Sequence, residues 1–211
     1  AIVFTRPEKT NNEQTAIKIT LKPDIVQDSL LIQVDKKHCL SADYIPQDLV
    51  NISKYGIPST QNFLLRKIVM QDLKEMIDQA KKEGIELKII SAYRSYQKQE
   101  QVYNSWVEQL GSQEANRQSA PPGCSQHQLG TAVDFNELDF SFADTPAGIW
   151  LYKNSLQYGW ALSYPLNSEN ITGYAYEPWH YRYIGKDNAL QMQKSGLILS
   201  NGSASSTSFI L

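Results

Sequence analysis

Apolar positions along the chain alternate between a period of two and a period of three to four, so strands and helices are interleaved. Ile17, Ile19 and Leu21 alternate with Lys18 and Thr20 and predict a half-buried strand in an N-terminal extension, residues 1–30. Leu30-Leu-Ile-Gln-Val34 is a second strand candidate. From Phe63 to Glu83 the spacing predicts the strongest helix: Leu65, Ile68, Val69, Leu73, Met76, Ile77 and Ala80 recur on one face, and Gly84 supplies the stop. Residues 85–90 alternate as a strand that delivers Ser91 to Ser95 at its carboxyl end. A further helix is expected from Tyr96 to Leu110, with Val102, Trp106, Val107 and Leu110 inward and Gly111 at its end; Glu114 to Ser119 reads as polar connector. Thr145-Pro146 is a cap followed by proline at the first helical position, and that helix should stop near Gly159. A short strand from Trp160, a loop over 167–173 and a last helix from about Asp187 to Lys194 complete a domain spanning 31–196. Residues 197–211 are expected to form a tail, with Gly202 to Ser208 rich in Ser and flexible.

Two stretches escape this periodicity. Pro121, Pro122 and Gly123 cannot continue a helix, so Ser125 to His127 is expected to begin as constrained loop, with Ala132, Val133 and Phe135 then favouring a strand. Gly130 allows the backbone to bend between His127 and Asp134. The second stretch, Tyr174 to Ile184, places Glu177 three residues before His180 inside an aromatic run. Residues three apart on an ideal strand point to opposite faces, and Pro178 donates nothing to a ladder. Glu177 and His180 therefore share one site only if the chain turns at Pro178.

The 211 residues suffice for one domain with a sizeable core. With 20 basic and 22 acidic side chains, a nucleic-acid groove or a polybasic membrane face is not indicated, and no apolar run approaches the length of a membrane span. Ala rather than Met at position 1 is what removal of a leader would leave. Cys39 and Cys124 are the only cysteines. In an exported protein a bridge between them would tie residues 35–39 to the loop around His127; two reduced thiols are the alternative.

Of three histidines, two lie in these stretches; His38 reads as a loop residue. Hydrolytic zinc commonly takes three protein ligands from imidazole and carboxylate, leaving a position for water beside a separate carboxylate that shuttles protons. His127, Asp134 and His180 supply the first set and Glu177 the second.

Ser125-Gln-His-Gln-Leu-Gly-Thr-Ala-Val-Asp134 resembles the SxHxxGxAxD signature of the VanY-type D-alanyl-D-alanine carboxypeptidases, the LAS zinc peptidases. Glu177-Pro-Trp-His180 resembles their ExxH, and Ser91-Ala-Tyr-Arg-Ser-Tyr-Gln-Lys-Gln99 is similar to their SxYRSxxxQ segment. The likeness runs from about Leu31 to Gly185. It implies an α+β fold, a small antiparallel sheet bearing the zinc site with helices packed on it. It also implies Zn2+ on His127, Asp134 and His180, catalytic roles for Glu177 and Arg94, and a peptidoglycan stem peptide as substrate. Gln99, Ser125, Tyr93 and Trp179 are the expected substrate contacts. The implied activity is removal of the terminal D-Ala by an extracytoplasmic bacterial monomer. Ala92 stands where the family often has glycine, and Gln126 where it often has glutamate.

Other readings are an L,D-carboxypeptidase acting on the tetrapeptide stem, a cell-wall endopeptidase, and a zinc-containing wall-binding module without activity. A thiolate nucleophile at Cys124 with His127 as base is a different chemistry. It leaves Asp134, Glu177 and His180 without a role.

Overall fold

A computed structural model describes residues 30–196, 198 and 199. The expected strand at Ile17 to Leu21 and the Ser-rich tail lie outside the described residues. A small hairpin pairs β1 (Leu49–Asn51) with β2 (Leu64–Arg66), antiparallel. The main sheet is built from β3 (Ile89–Ser91), β4 (Ala132–Phe135), β5 (Trp160–Leu162) and β6 (His180–Tyr183). Its spatial order is β3-β4-β6-β5 with every pair antiparallel, so β4 and β6 are the central strands. Among the described residues five α-helices accompany the strands: α1 (Met70–Lys82), α2 (Tyr96–Gln118), α3 (Pro146–Asn154), the single turn α4 (Glu169–Thr172) and α5 (Lys186–Ser195). The fold is the α+β arrangement that the sequence led us to expect.

The core lies between α1 and one face of this sheet. Leu73, Met76, Ile77 and Ala80 recur at steps of three and four and are buried against Ile89, Phe135, Trp160 and Tyr181. That apolar layer leaves the opposite face of β4 and β6 to carry polar side chains, Asp134 and His180 among them. Thr145 caps α3 by accepting from the Gly148 amide, with Pro146 in the first turn, as its sequence required.

Four expectations need correction. The helix starts at Met70 instead of Phe63, because Leu65 is buried as a strand residue opposite Val50 and residues 67–69 form a tight 3-10 turn that leaves Ile68 half exposed. Residues 30–34 form a turn and irregular chain instead of a strand. The carbonyls of Leu30 and Ile32 accept from the Arg182 guanidinium, at 2.9 and 2.6 Å. Gly111, with φ 75° and ψ 162°, breaks α2, but the chain resumes helix after it, so residues 112–118 are helical and not connector; Leu110 faces outward. The expected loop at 167–173 contains the turn α4.

Cys39 and Cys124 form a disulfide. Alongside it the Leu40 amide donates to the Gly123 carbonyl at 2.9 Å, so the segment after Asp35 is clamped to the loop that precedes His127.

Candidate metal centre and active-site cleft

Asp134 and His180 are register partners on adjacent antiparallel strands, which puts their side chains on one face at the distance of a directly paired couple. His127 arrives from a 3-10 turn, Gln126–Leu129, whose first amide is capped when Ser125 Oγ accepts from the His127 N–H at 3.3 Å. Gly130 then reverses the chain into β4 at φ +68°; a Cβ there would stand 2.9 Å from Leu49 Cδ2 and 3.1 Å from Arg66 Cγ. Glycine is required twice over, by the left-handed backbone and by the space. The result is a buried cluster: His127 Nε2 lies 3.2 Å from Asp134 Oδ2, and His180 Nδ1 3.0 Å from Asp134 Oδ1. One ligand atom from each residue falls within 4.8 Å of the other two.

The far nitrogen of each imidazole is already engaged. His127 Nδ1 is 2.7 Å from the Ala92 carbonyl, and a carbonyl can only accept, so the proton sits on Nδ1 and Nε2 keeps its lone pair. His180 Nε2 is 3.1 Å from Gln126 Oε1. Burial also pushes the His127 pKa down against the attraction of Asp134, which favours the neutral, ligating form. Burial tends to raise the Asp134 pKa, but the two imidazoles outweigh it and hold the carboxyl well below the usual range. A carboxylate flanked by two imidazole nitrogens, all within 4.8 Å of one another, suits a small divalent cation such as zinc.

Chain reversal at Pro178-Trp179 brings Glu177 to the same place. The His180 amide donates to the Glu177 carbonyl at 3.2 Å, closing the turn that proline demanded, and the Glu177 amide is fixed to the Tyr164 carbonyl. Glu177 Oε2 stands 3.6 Å from His180 Nδ1, near the cluster yet beyond hydrogen-bond reach. Burial raises its pKa well above the ordinary carboxylate value; the Asp134 charge adds to this and Arg94 opposes it. Arg94 follows β3 and is anchored at both ends of its fork: Nη1 donates to Gln99 Oε1 and Nη2 to Ser91 Oγ, each at 2.8 Å. The Gln99 amide nitrogen donates onward to the Ala120 carbonyl.

These groups line a cleft of about 430 Å³. Arg94, Gln99, Ser125, His127, Asp134, Glu177, Trp179 and His180 all reach it; Tyr93 does not, and its amide donates to the Leu64 carbonyl in the hairpin instead. Gln99 is 1% exposed and spends its amide on Arg94 and the chain at Ser119-Ala120, so it serves Arg94 more directly than a ligand. Sequence reasoning missed Tyr164, whose ring centroid is 4.9 Å from that of His180, and Tyr174, tilted against Tyr164 at 4.9 Å. It also missed Gln126. No local pattern marks the two tyrosines, which reach the site only through the fold, and Gln126, although next to His127 in sequence, meets His180 only across it. With Cys124 in a disulfide, no thiolate is available for attack beside His127. A larger groove of about 620 Å³ lies on the other side of the Pro178 turn, but no carboxylate, histidine or cation lines it, and the chemistry belongs to the smaller cleft.

Fold and site thus bring together two histidines and an aspartate that could hold a metal ion, with a carboxylate left over and a guanidinium alongside. Residues 62–186 match the sequence profile of VanY, D-alanyl-D-alanine carboxypeptidase, and the chain belongs to that family. It is 39% identical to YodJ of Bacillus subtilis (strain 168) over 180 residues, 82% of this chain and 66% of that protein. Among solved structures, the LD-carboxypeptidase LdcB superposes with a TM-score of 0.74 at 37% identity, covering 81% of this chain and 84% of that one. A variant of the vancomycin resistance D,D-pentapeptidase VanY from a VanB-type cassette, in complex with Zn(II), superposes with a TM-score of 0.68 at 29% identity, covering 80% and 96%. The chain spans 66% of the length of one curated relative that it matches and 61% of another.

Proposed function

We propose that this protein is a zinc-dependent carboxypeptidase that removes the C-terminal D-Ala from peptidoglycan stem peptides ending in D-Ala-D-Ala. The observation that carries this reading is the division of labour among four groups that meet in one cleft. Three converge as ligands, while Glu177 is held a further step away with no place in the ligand set. A wall-binding module that kept metal only for stability would need no such carboxylate. Zinc, bound through His127 Nε2, an Asp134 oxygen and His180 Nδ1, would supply Lewis acidity and lower the pKa of a bound water from about 15.7 towards 7.

Glu177 is the group placed to take the proton from the attacking water and to return it to the leaving amine. Its pKa, raised by burial, matches that task, because a less acidic carboxyl takes up a proton more readily. Arg94, with its fork fixed by Gln99 and Ser91, presents cationic charge to the cleft. There it can stabilise the oxyanion formed on attack or hold the free carboxylate of the substrate. Ser125 and Trp179 line the same cleft and supply a hydroxyl and an aromatic wall. All the proposed ligands and both catalytic groups come from one chain, consistent with a monomer. Among the described residues no helix is long and apolar enough to cross a membrane. The disulfide points to an oxidising compartment, as an enzyme facing the cell wall would meet.

A second reading has a specific basis: the likeness to LdcB favours cleavage of an L,D bond in the tetrapeptide stem. Synthetic tetra- and pentapeptide stems, incubated with the purified protein and followed by mass spectrometry, separate the two. Loss of one alanine from the pentapeptide alone establishes the D,D reading, and loss from the tetrapeptide the L,D one. Activity should vanish with a chelator and return with Zn2+; turnover undiminished by the chelator would overturn the proposal.

A further inference from the structure

The His180 ring offers its metal-facing nitrogen only in one tautomer, and the residue that selects this tautomer is not itself part of the ligand set. Gln126 Oε1 lies 3.1 Å from His180 Nε2 and 2.7 Å from Ser163 Oγ. Gln126 is 5% exposed and Ser163 is fully buried, so water does not compete for either contact. An oxygen at that point accepts both the ring N–H and the serine O–H. An amide nitrogen there would face the ring with its own protons and force the imidazole proton onto Nδ1, the atom 3.0 Å from Asp134 Oδ1. The metal position would then be blocked. The Ser163 amide in turn donates to the His180 carbonyl at 3.2 Å, so serine, glutamine and histidine form one small braced unit across β5, β6 and the His127 turn.

We propose that Gln126 is a positioning residue. It holds His180 as the Nε2–H tautomer, turns the Nδ1 lone pair towards the metal, and is itself held by Ser163. Gln126 adjoins the ligand His127 in sequence but serves the other histidine, 54 residues away. The role rests on the reading that this site takes zinc. Groups that accept the second N–H of a ligating histidine raise its donor strength, and their loss typically weakens metal affinity about 10–100-fold.

The test is zinc affinity, measured by competition with a chromophoric chelator on the full chain and its variants. Gln126→Leu should bind zinc about 10–100-fold more weakly than the wild type. Gln126→Glu should bind at least as tightly as the wild type, because a carboxylate accepts the ring proton more strongly than an amide does. A merely structural role would not rank the variants in this order. Nitrogen-15 chemical shifts of the imidazoles in the zinc-loaded wild type give a reading that needs no variant to fold, with the proton expected on Nε2 of His180. Leucine within twofold of the wild type, glutamate as weak as leucine, or the proton on Nδ1 would each overturn the inference alone. A wild type that takes up no zinc would overturn both it and the metal reading.

Discussion

Replacing Glu177 by Gln should make the metal-free protein more stable while destroying its turnover. The side chain keeps its shape, so packing is unchanged and only the charge is lost. Glu177 sits with Oε2 3.6 Å from His180 Nδ1, beside the Asp134 anion, and its pKa is raised by burial first and by that anion second. For a carboxyl whose pKa is raised on folding, the stability contribution is fully present at pH below the unfolded value of 4.5. It is lost as pH rises, because the unfolded chain ionises freely and the folded chain resists. At pH 7 the wild type bears this cost and the Gln variant does not. Each unit by which the folded pKa exceeds the unfolded one is worth about 1.4 kcal/mol until the working pH is reached. Arg94 recovers part of this, and a gain of roughly 1–3 kcal/mol remains, the usual scale for relieving a buried polar group without a good partner. For a chain of this length that is about 2–4 °C in Tm per kcal/mol. Chelated wild type and variant, melted side by side from pH 4 to 7.5, should coincide at the acid end and diverge upward. Under zinc, turnover of the variant should fall by at least ~10² with zinc affinity retained. A variant less stable than the wild type at pH 7, or a difference that ignores pH, would refute the picture of Glu177 as a buried carboxylate kept at a cost to the fold.

Arg94→Lys should lower kcat/KM by about 10²–10³ with zinc content unchanged, because a point charge cannot be held by Gln99 and Ser91 together; stem-peptide kinetics with metal analysis checks this. Replacing both Cys39 and Cys124 with Ser opens a link between positions 85 residues apart, for which chain entropy gives about 4–5 kcal/mol, read as a lower denaturation midpoint against the oxidised wild type. Gly130→Ala should cost roughly 2–3 kcal/mol, combining a left-handed backbone with a 2.9 Å approach to Leu49 Cδ2, and should weaken zinc binding because the residue sets the path from His127 to Asp134. Denaturant melts and chelator competition on the same sample would separate the two effects.

Local chemistry determined a good deal about this chain. Thr145-Pro146 open α3, and the spacing of Leu73, Met76, Ile77 and Ala80 defines the inner face of α1, since each of these is a property of neighbours in sequence. Pro178 makes a turn between Glu177 and His180 necessary if the two are to share a site, and the turn is there. The residues 125–134, 177–180 and 91–99 carried the family in their own order. Tertiary structure decided what depends on partners far along the chain. Residues 64–66 have helical spacing, yet they pair as a strand because Leu49 to Asn51 offers them a ladder. Residues 30–34 look like a strand, yet two of their carbonyls go to Arg182, about 150 positions away. Whether Cys39 met Cys124 depended on the fold bringing side by side two segments 85 positions apart. The tautomer of His180 depended on an amide and a hydroxyl delivered by other elements. A sequence fixes which atoms can ligate, but the direction of a lone pair belongs to the hydrogen bond on the far side of the ring, and only the folded sheet supplies that.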